Sequence, residues 1–126
     1  MIPPRLTDRD TPLAALRARV AAFVAARDWA QFHSPKNLAM AVACEAAELM
    51  EHYLWVDAAA SAAVTDEPAR RAAVEAEMAD VAICLLNLAN VVGVDLSAAV
   101  EKKLAEADAK YPADVVRGKA LKYHEY

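Results

Sequence analysis

Apolar residues recur three and four positions apart along most of this chain, which is the spacing of helices with one buried face. The first such stretch predicts a helix from about Pro12 to Trp29. Its apolar positions are Leu13, Leu16, Val20, Phe23 and Val24. No two neighbouring stretches alternate apolar and polar residues as paired strands would, so the pattern predicts an all-α fold.

Prolines and glycines mark the boundaries of further long helices. A second helix is predicted from a cap at Ser34, followed directly by a proline, to about Trp55. A third helix, capped by Thr65 or Asp66, is expected to end at Gly93, because glycine accepts the left-handed conformation that ends many helices. One more helix is predicted near the C-terminus. The fold class predicted for the chain is therefore a four-helix bundle.

That fourth helix is capped by Asp95 or Ser97 and is predicted to stop before Pro112. The alanine-rich segment 56–66 has two open interpretations, a loop or a short helix. Residues 112–126 form a short tail that combines basic and aromatic side chains.

Length and composition indicate one small domain that associates with copies of itself. The chain has 126 residues, so we expect a single domain, 1–126, with its helical core at about 11–111. Alanine accounts for 32 of the 126 residues, and each alanine buries little apolar surface. Since a short chain encloses only part of its apolar surface, a homo-oligomer is expected.

Charge and hydropathy argue against several classes of partner. The net charge is −4 and basic residues form no continuous stripe, so a nucleic-acid polymer is not expected. The apolar stretch 72–94 is interrupted by acids, which predicts a buried helix and no membrane partner. Prolines and charges in segment 1–8 leave no room for a secretion signal, and Cys44 and Cys84 have no metal or redox spacing, so a cytoplasmic protein is expected.

Two pairs of acidic residues lie on or beside the apolar faces of the second and third helices. At about 100° per residue, Glu45 and Glu77 align with apolar positions, while Glu48 and Asp80 lie on the flanks. Neither pair has lysine or arginine one turn away, and His52 is the one neighbour there that can carry a positive charge. Acids three residues apart are common on solvated helices, but these four are predicted to face inward.

Inward-facing acids repel each other and need a positive charge to neutralise them. Lysine or arginine from another helix is one source, and a hard divalent cation is the other. A donor set made only of oxygen favours magnesium or manganese, whereas zinc prefers nitrogen and sulfur. A di-iron bundle would need Glu-x-x-His motifs, which neither helix has. The residues therefore favour a magnesium or manganese site.

The acid spacing resembles a known family. Glu45-Ala-Ala-Glu48 and Glu77-Met-Ala-Asp80 are similar to the E-x-x-E and E-x-x-D signature of the all-α nucleotide pyrophosphohydrolases, the MazG-like superfamily. Segment 27–38, Trp55, Lys110-Tyr111-Pro112 and segment 117–123 look like the dCTP pyrophosphatase branch. The resemblance extends from about residue 13 to residue 123.

The resemblance implies a four-helix core assembled as a homotetramer, a dimer of dimers, that holds Mg²⁺, with Mn²⁺ as a substitute, on Glu45, Glu48, Glu77 and Asp80. It implies hydrolysis of a nucleoside triphosphate, dCTP or a close relative, to the monophosphate and pyrophosphate, as a cleaning step for the nucleotide pool. Glu48 is expected to act as the general base.

The resemblance also implies a nucleotide pocket. Its expected substrate-binding residues are Trp29, His33, Asn37, Trp55 and Cys84. From composition alone a tryptophan is more often a core or interface anchor, and a histidine before a helix cap is more often a solvated loop residue. The expected phosphate contacts, each with a solvated surface residue as the alternative, are Lys36, Lys103, Arg117, Lys119 and Lys122.

Three positions depart from the pattern of the branch. Cys84 stands where a tyrosine is expected, Val20 where a histidine is expected, and Ala107 where an asparagine is expected. These departures leave the base preference open, so a pyrophosphohydrolase of the same family with a different nucleotide preference is one alternative. The other is a helical interaction module, without catalysis, whose inner faces are acidic.

Overall fold

The computed structural model describes residues 5–126. Residues 1–4, which belong to the segment used to argue against a secretion signal, lie outside the described residues. All regular elements within 5–126 are helical, which confirms the predicted all-α fold class. Two compact units are distinguished, Met1–Gly93 and Val94–Tyr126, and the expectation of a single domain stays a prediction.

The first unit contains three long helices and one short helix. We number the α-helices in chain order, and short 3-10 turns are named by their residues. The helices of this unit are α1 (Leu13–Ala25), α2 (Pro35–Glu51), α3 (Ala58–Ser61) and α4 (Pro68–Val92). Two 3-10 turns, Trp29–Phe32 and Val64–Asp66, lie between them. Of the two interpretations of segment 56–66, a loop or a short helix, the structure confirms the short helix, which is α3.

Helices α1 and α2 both end earlier than predicted. Helix α1 ends at Ala25 rather than at Trp29, because Asp28 adopts the left-handed conformation, with φ of 50°, and turns the chain. Helix α2 begins after its predicted cap, where the Ser34 hydroxyl accepts a hydrogen bond from the backbone N–H of Asn37 at 3.1 Å. It ends at Glu51, and Trp55 lies in the turns that follow.

The cap of α4 differs from the prediction. Thr65 and Asp66 lie in a 3-10 turn, and the cap is Glu67, whose carboxylate accepts hydrogen bonds from the backbone N–H groups of Ala69 and Arg70. These two bonds stabilise the charged carboxylate and lower the pKa of Glu67 below its usual value. The far end is as predicted, since Gly93 has φ of 68° and ends α4.

Packing in the first unit brings α2 and α4 alongside each other, and α1 packs on α4. The buried apolar side chains within residues 5–126 are few: Val24, Leu38, Val64, Val74, Leu86 and Ala89. Among the helices of that range, none is by itself long and apolar enough to cross a bilayer. The pair of α4 and the next helix, Leu96–Lys110, reaches that length and composition only when the two are taken together.

The second unit contains α5 (Leu96–Lys110), α6 (Ala113–Val116) and a 3-10 turn. Of the two predicted caps of α5, Asp95 is the cap, and its carboxylate accepts a hydrogen bond from the backbone N–H of Ala98. The helix stops before Pro112, as predicted. The tail folds back locally, with the ring of Tyr111 edge-on to the rings of Tyr123 and Tyr126.

Candidate functional site

Three of the four predicted acidic side chains meet between α2 and α4. One carboxylate oxygen each from Glu45, Glu48 and Glu77 lies within 4.8 Å of the others. Glu45 and Glu77 are half-buried, and Glu48 is exposed. Asp80, the fourth acid, is exposed and lies outside this group, although its charge acts on two members of it. The helical periodicity therefore identified acids that the tertiary structure brings together.

Burial and mutual repulsion disfavour the charged forms of the half-buried acids. Partial removal from water raises the pKa of Glu45 above its usual value, and a hydrogen bond to Glu48 and the like charges of Glu48, Asp80 and Glu77 raise it further. Partial burial also raises the pKa of Glu77, with the charges of Glu48 and Asp80 adding to the effect. The site thus favours either bound protons or a bound cation.

The positively charged side chains near Glu45, Glu48 and Glu77 are too few to neutralise these acids. His52 Nε2 lies 4.0 Å from Glu77 Oε1, and although this neighbour acts to lower the pKa of Glu77, burial and the charges of Glu48 and Asp80 outweigh it. Oε2 of Glu77 is buried and has no hydrogen-bond partner among residues 5–126. No lysine or arginine in that range forms an ion pair with Glu45, Glu48 or Glu77. A buried, unpartnered carboxylate oxygen in an all-oxygen cluster fits a hard divalent cation.

A cleft of about 730 Å³ lies in the first unit near these acids, although none of the four acids lines it. Side chains of α1, α2 and α4 line it, and most of them are apolar. Four of the five predicted substrate-binding residues line this cleft: Trp29, His33, Asn37 and Cys84. A concave, mainly apolar space with a few polar groups is the usual form of a small-molecule site.

Local geometry holds the aromatic side chains at the cleft. The left-handed backbone at Asp28 starts the turn that carries Trp29, whose ring is edge-on to the ring of Phe23 at a centroid distance of 5.7 Å. The ring of His33 lies 6.3 Å from that of Trp29, also edge-on. Asn37, in the first turn of α2, donates a hydrogen bond from its amide to the carbonyl of Phe32 at 3.1 Å.

Asn87 is a cleft residue that the sequence analysis missed. It is 6% exposed, and its amide nitrogen lies 3.0 Å from Nδ1 of His33. The signal in the sequence was a polar residue inside the most apolar stretch of the chain, where a polar side chain needs a specific partner.

Cys84 connects the cleft with the acids. Its side chain lines the cleft, and its thiol pKa is raised by partial burial and then by the charges of Glu45 and Asp80. A ligand in the cleft that extends past Cys84 therefore approaches the acidic cluster.

The remaining predicted site residues lie elsewhere. Trp55 is 92% exposed and does not line the cleft, and Lys36 is an exposed residue in the first turn of α2. The four other predicted phosphate contacts are exposed and belong to the second unit: Lys103, Arg117, Lys119 and Lys122. Lys103 pairs with Glu106 within α5, at a distance of 3.2 Å. Their roles stay predictions.

Comparison with known proteins identifies relatives of this chain. The sequence profile of the MazG-like family matches residues 40–125. The dCTP pyrophosphatase 1 of Rattus norvegicus is 41% identical over 108 residues, which make up 86% of this chain and 64% of the rat protein. The protein of the same name from Homo sapiens is 39% identical over 110 residues, or 87% of this chain and 65% of the human protein. This chain thus spans about 64% of the length of the relatives it matches.

A solved structure has the same fold. A pyrophosphatase from Archaeoglobus fulgidus superimposes with a TM-score of 0.75 and 32% sequence identity. The match covers 86% of this chain and 99% of the archaeal chain.

The raised pKa values predict how metal-free protein responds to pH. A group with a raised pKa in the folded state stabilises the fold most below its unfolded value of 4.5, and this contribution is lost as pH rises through the raised pKa. In EDTA, Glu77→Gln should therefore have a higher Tm than the unchanged protein near pH 8, and the difference should shrink towards pH 4.5. Thermal unfolding followed by circular dichroism measures this.

Glu75→Gln is the matched control, because Glu75 lies on the same helix and pairs with Arg71 at 3.0 Å. Its Tm should not exceed that of the unchanged protein. An equal rise in Tm from both substitutions would contradict the prediction. It would show that the acids of the cluster do not repel one another more than surface acids do.

Proposed function

This chain belongs to the MazG-like family, and on that premise we propose that it hydrolyses a deoxynucleoside triphosphate, dCTP or a modified dCTP, to the monophosphate and pyrophosphate. The observation that carries the proposal is the meeting of Glu45, Glu48 and Glu77 within 4.8 Å beside a mainly apolar cleft. The names of the relatives, dCTP pyrophosphatase 1 and pyrophosphatase, support the same reaction.

The proposed cofactor is Mg²⁺, with Mn²⁺ as a substitute. Glu45, Glu48 and Glu77 would hold it, with Asp80 as a fourth oxygen donor. The unpartnered, buried Oε2 of Glu77 supports this assignment, since a cation would provide the missing interaction. When bound, the ion supplies positive charge that offsets the charge of the phosphates and lowers the pKa of water.

The residues of the chain carry the remaining roles. Trp29 and His33 hold the nucleoside in the cleft by stacking and hydrogen bonding, and Asn37 lies beside them. Glu48, exposed at the edge of the cluster, accepts the proton of the attacking water. The oxygen of that water bonds to the α-phosphorus, the bond to the bridging oxygen breaks, and pyrophosphate leaves.

We also propose that the protein assembles as a homotetramer. The first unit exposes large apolar side chains around the end of α2, of which Trp55 is 92% exposed, Met50 55% and Leu54 51%. Adjacent exposed apolar side chains of this size mark interaction surfaces in soluble proteins. A second copy of the chain covers them in the proposed assembly, which gives Trp55 an anchoring role as well as the predicted one at the substrate.

A substrate panel tests the proposed reaction. Purified protein with Mg²⁺ should release pyrophosphate from dCTP or 5-methyl-dCTP faster than from dUTP and the purine triphosphates. Release from none of them would end the enzyme proposal. Calorimetry with Mg²⁺ tests the alternative, a non-catalytic interaction module. This alternative predicts no saturable Mg²⁺ site.

Conservative substitutions test the acidic cluster. Glu45→Gln and Asp80→Asn should each lower kcat by about a hundredfold or more, because a lost ligand weakens charge stabilisation worth several kcal/mol. Both proteins should remain folded, since each change removes an unpaired charge. The matched control is Glu75→Gln on the outer face of α4, which should retain its rate. Unchanged rates in the cluster variants would place the catalytic centre elsewhere.

Light scattering tests the assembly. The particle mass should be four times the chain mass of 13.6 kDa, and Leu54→Glu should lower it by placing a charge in the exposed apolar surface. A single-chain mass for the unchanged protein would contradict the proposal.

A further inference from the structure

Asn87 is the one buried polar residue within residues 5–126, and its position in α4 places it at the wall of the cleft. Its amide nitrogen Nδ2 lies 3.0 Å from Nδ1 of His33, a residue that lies 54 positions earlier in the chain. The His33 ring is also held edge-on by the ring of Trp29. Two neighbours thus fix the orientation of one imidazole beside the proposed nucleoside site.

The chemistry of this contact determines which nitrogen of His33 carries the proton. An amide NH₂ group can only donate a hydrogen bond, so Nδ1 of His33 has to accept it. In a neutral imidazole the proton then lies on Nε2. We infer that Asn87 is a positioning residue that holds His33 as the Nε2–H tautomer, so that the ring presents a hydrogen-bond donor to the nucleotide. This inference rests on the proposed function, because it assigns His33 a contact with the nucleoside.

The tautomer restricts what His33 recognises. A ring with its proton on Nε2 pairs with an acceptor atom, such as a pyrimidine carbonyl oxygen, an unprotonated ring nitrogen or a sugar oxygen. A ring with its proton on Nδ1 would present a lone pair and would pair with a donor instead. A site whose polar groups are fixed in this way discriminates against ligands that leave them unpaired. Asn87 thereby contributes to specificity through the orientation and tautomer of His33.

Nitrogen NMR of the imidazole groups in the full chain tests the tautomer directly, with His33→Gln used to assign the signals. The unchanged protein should show His33 with a protonated Nε2 and an unprotonated Nδ1. A proton on Nδ1 would overturn the inference, and this measurement requires no variant of Asn87 to fold. It also requires no activity, so it decides the tautomer even if no triphosphate is hydrolysed and the proposed function fails.

Asn87→Asp replaces the donor by an acceptor and should move the proton of the neutral ring to Nδ1. The matched control is Asn90→Asp, because Asn90 lies one turn further along α4 and exchanges hydrogen bonds with Arg17 rather than with His33. Asn90→Asp should leave the His33 signals unchanged. An unchanged tautomer in folded Asn87→Asp, or the same change in both variants, would contradict the positioning role.

Kinetic measurements distinguish the effect of the His33 tautomer from the effect of the new negative charge at position 87. They are made at a pH where NMR shows the His33 ring to be neutral. Asn87→Asp should raise KM for dCTP about tenfold, the equivalent of one lost hydrogen bond, and change kcat much less. In a His33→Gln background the same substitution should have little further effect on KM. A tenfold rise that persists without His33 would assign the effect to the new charge and overturn the inference.

Discussion

Repulsion between carboxylates held close together is the constraint on which this site depends. Glu45 and Glu48 lie on α2, and Glu77 lies on α4. The packing of these two helices brings one carboxylate oxygen from each acid within 4.8 Å of the others. Left alone, the acids would take up protons or move apart, and their raised pKa values express the first tendency. The scaffold thus maintains an arrangement that bound protons or a cation would stabilise, and the proposed ion is a hard one because the donors are oxygens.

The cleft shares α2 and α4 with the acids, and α1 and the turn after it contribute to its lining. The turn after α1 begins with a left-handed residue, Asp28, and the cap at Ser34 starts α2, so Trp29 and His33 are placed between two fixed points. Helix α4 contributes to both regions. Its N-terminal half carries Glu77, its next turns carry Cys84 and Asn87, and this continuity lines up the acidic cluster with the apolar cleft.

The small core explains why so much apolar surface remains outside. Alanine accounts for 32 of the 126 residues and buries little area for each residue, and few large apolar side chains are buried within residues 5–126. Large side chains such as Trp55 and Leu54 are left exposed in the single chain. The exposed apolar surface that this composition leaves therefore supports the proposed assembly with further copies of the chain.

The sequence by itself determined the local features: the all-α class, the cap at Ser34, the end at Gly93 and the inward direction of Glu45 and Glu77, whereas Glu48 and Asp80, also predicted to face inward, are exposed. These follow from interactions between residues within about one helical turn. Only the tertiary structure decided how close the acids of α2 and α4 come, that Oε2 of Glu77 lacks a partner, and that Asn87 meets His33. Those facts depend on how separate helices pack, and no periodicity within one helix specifies the distance to its neighbour.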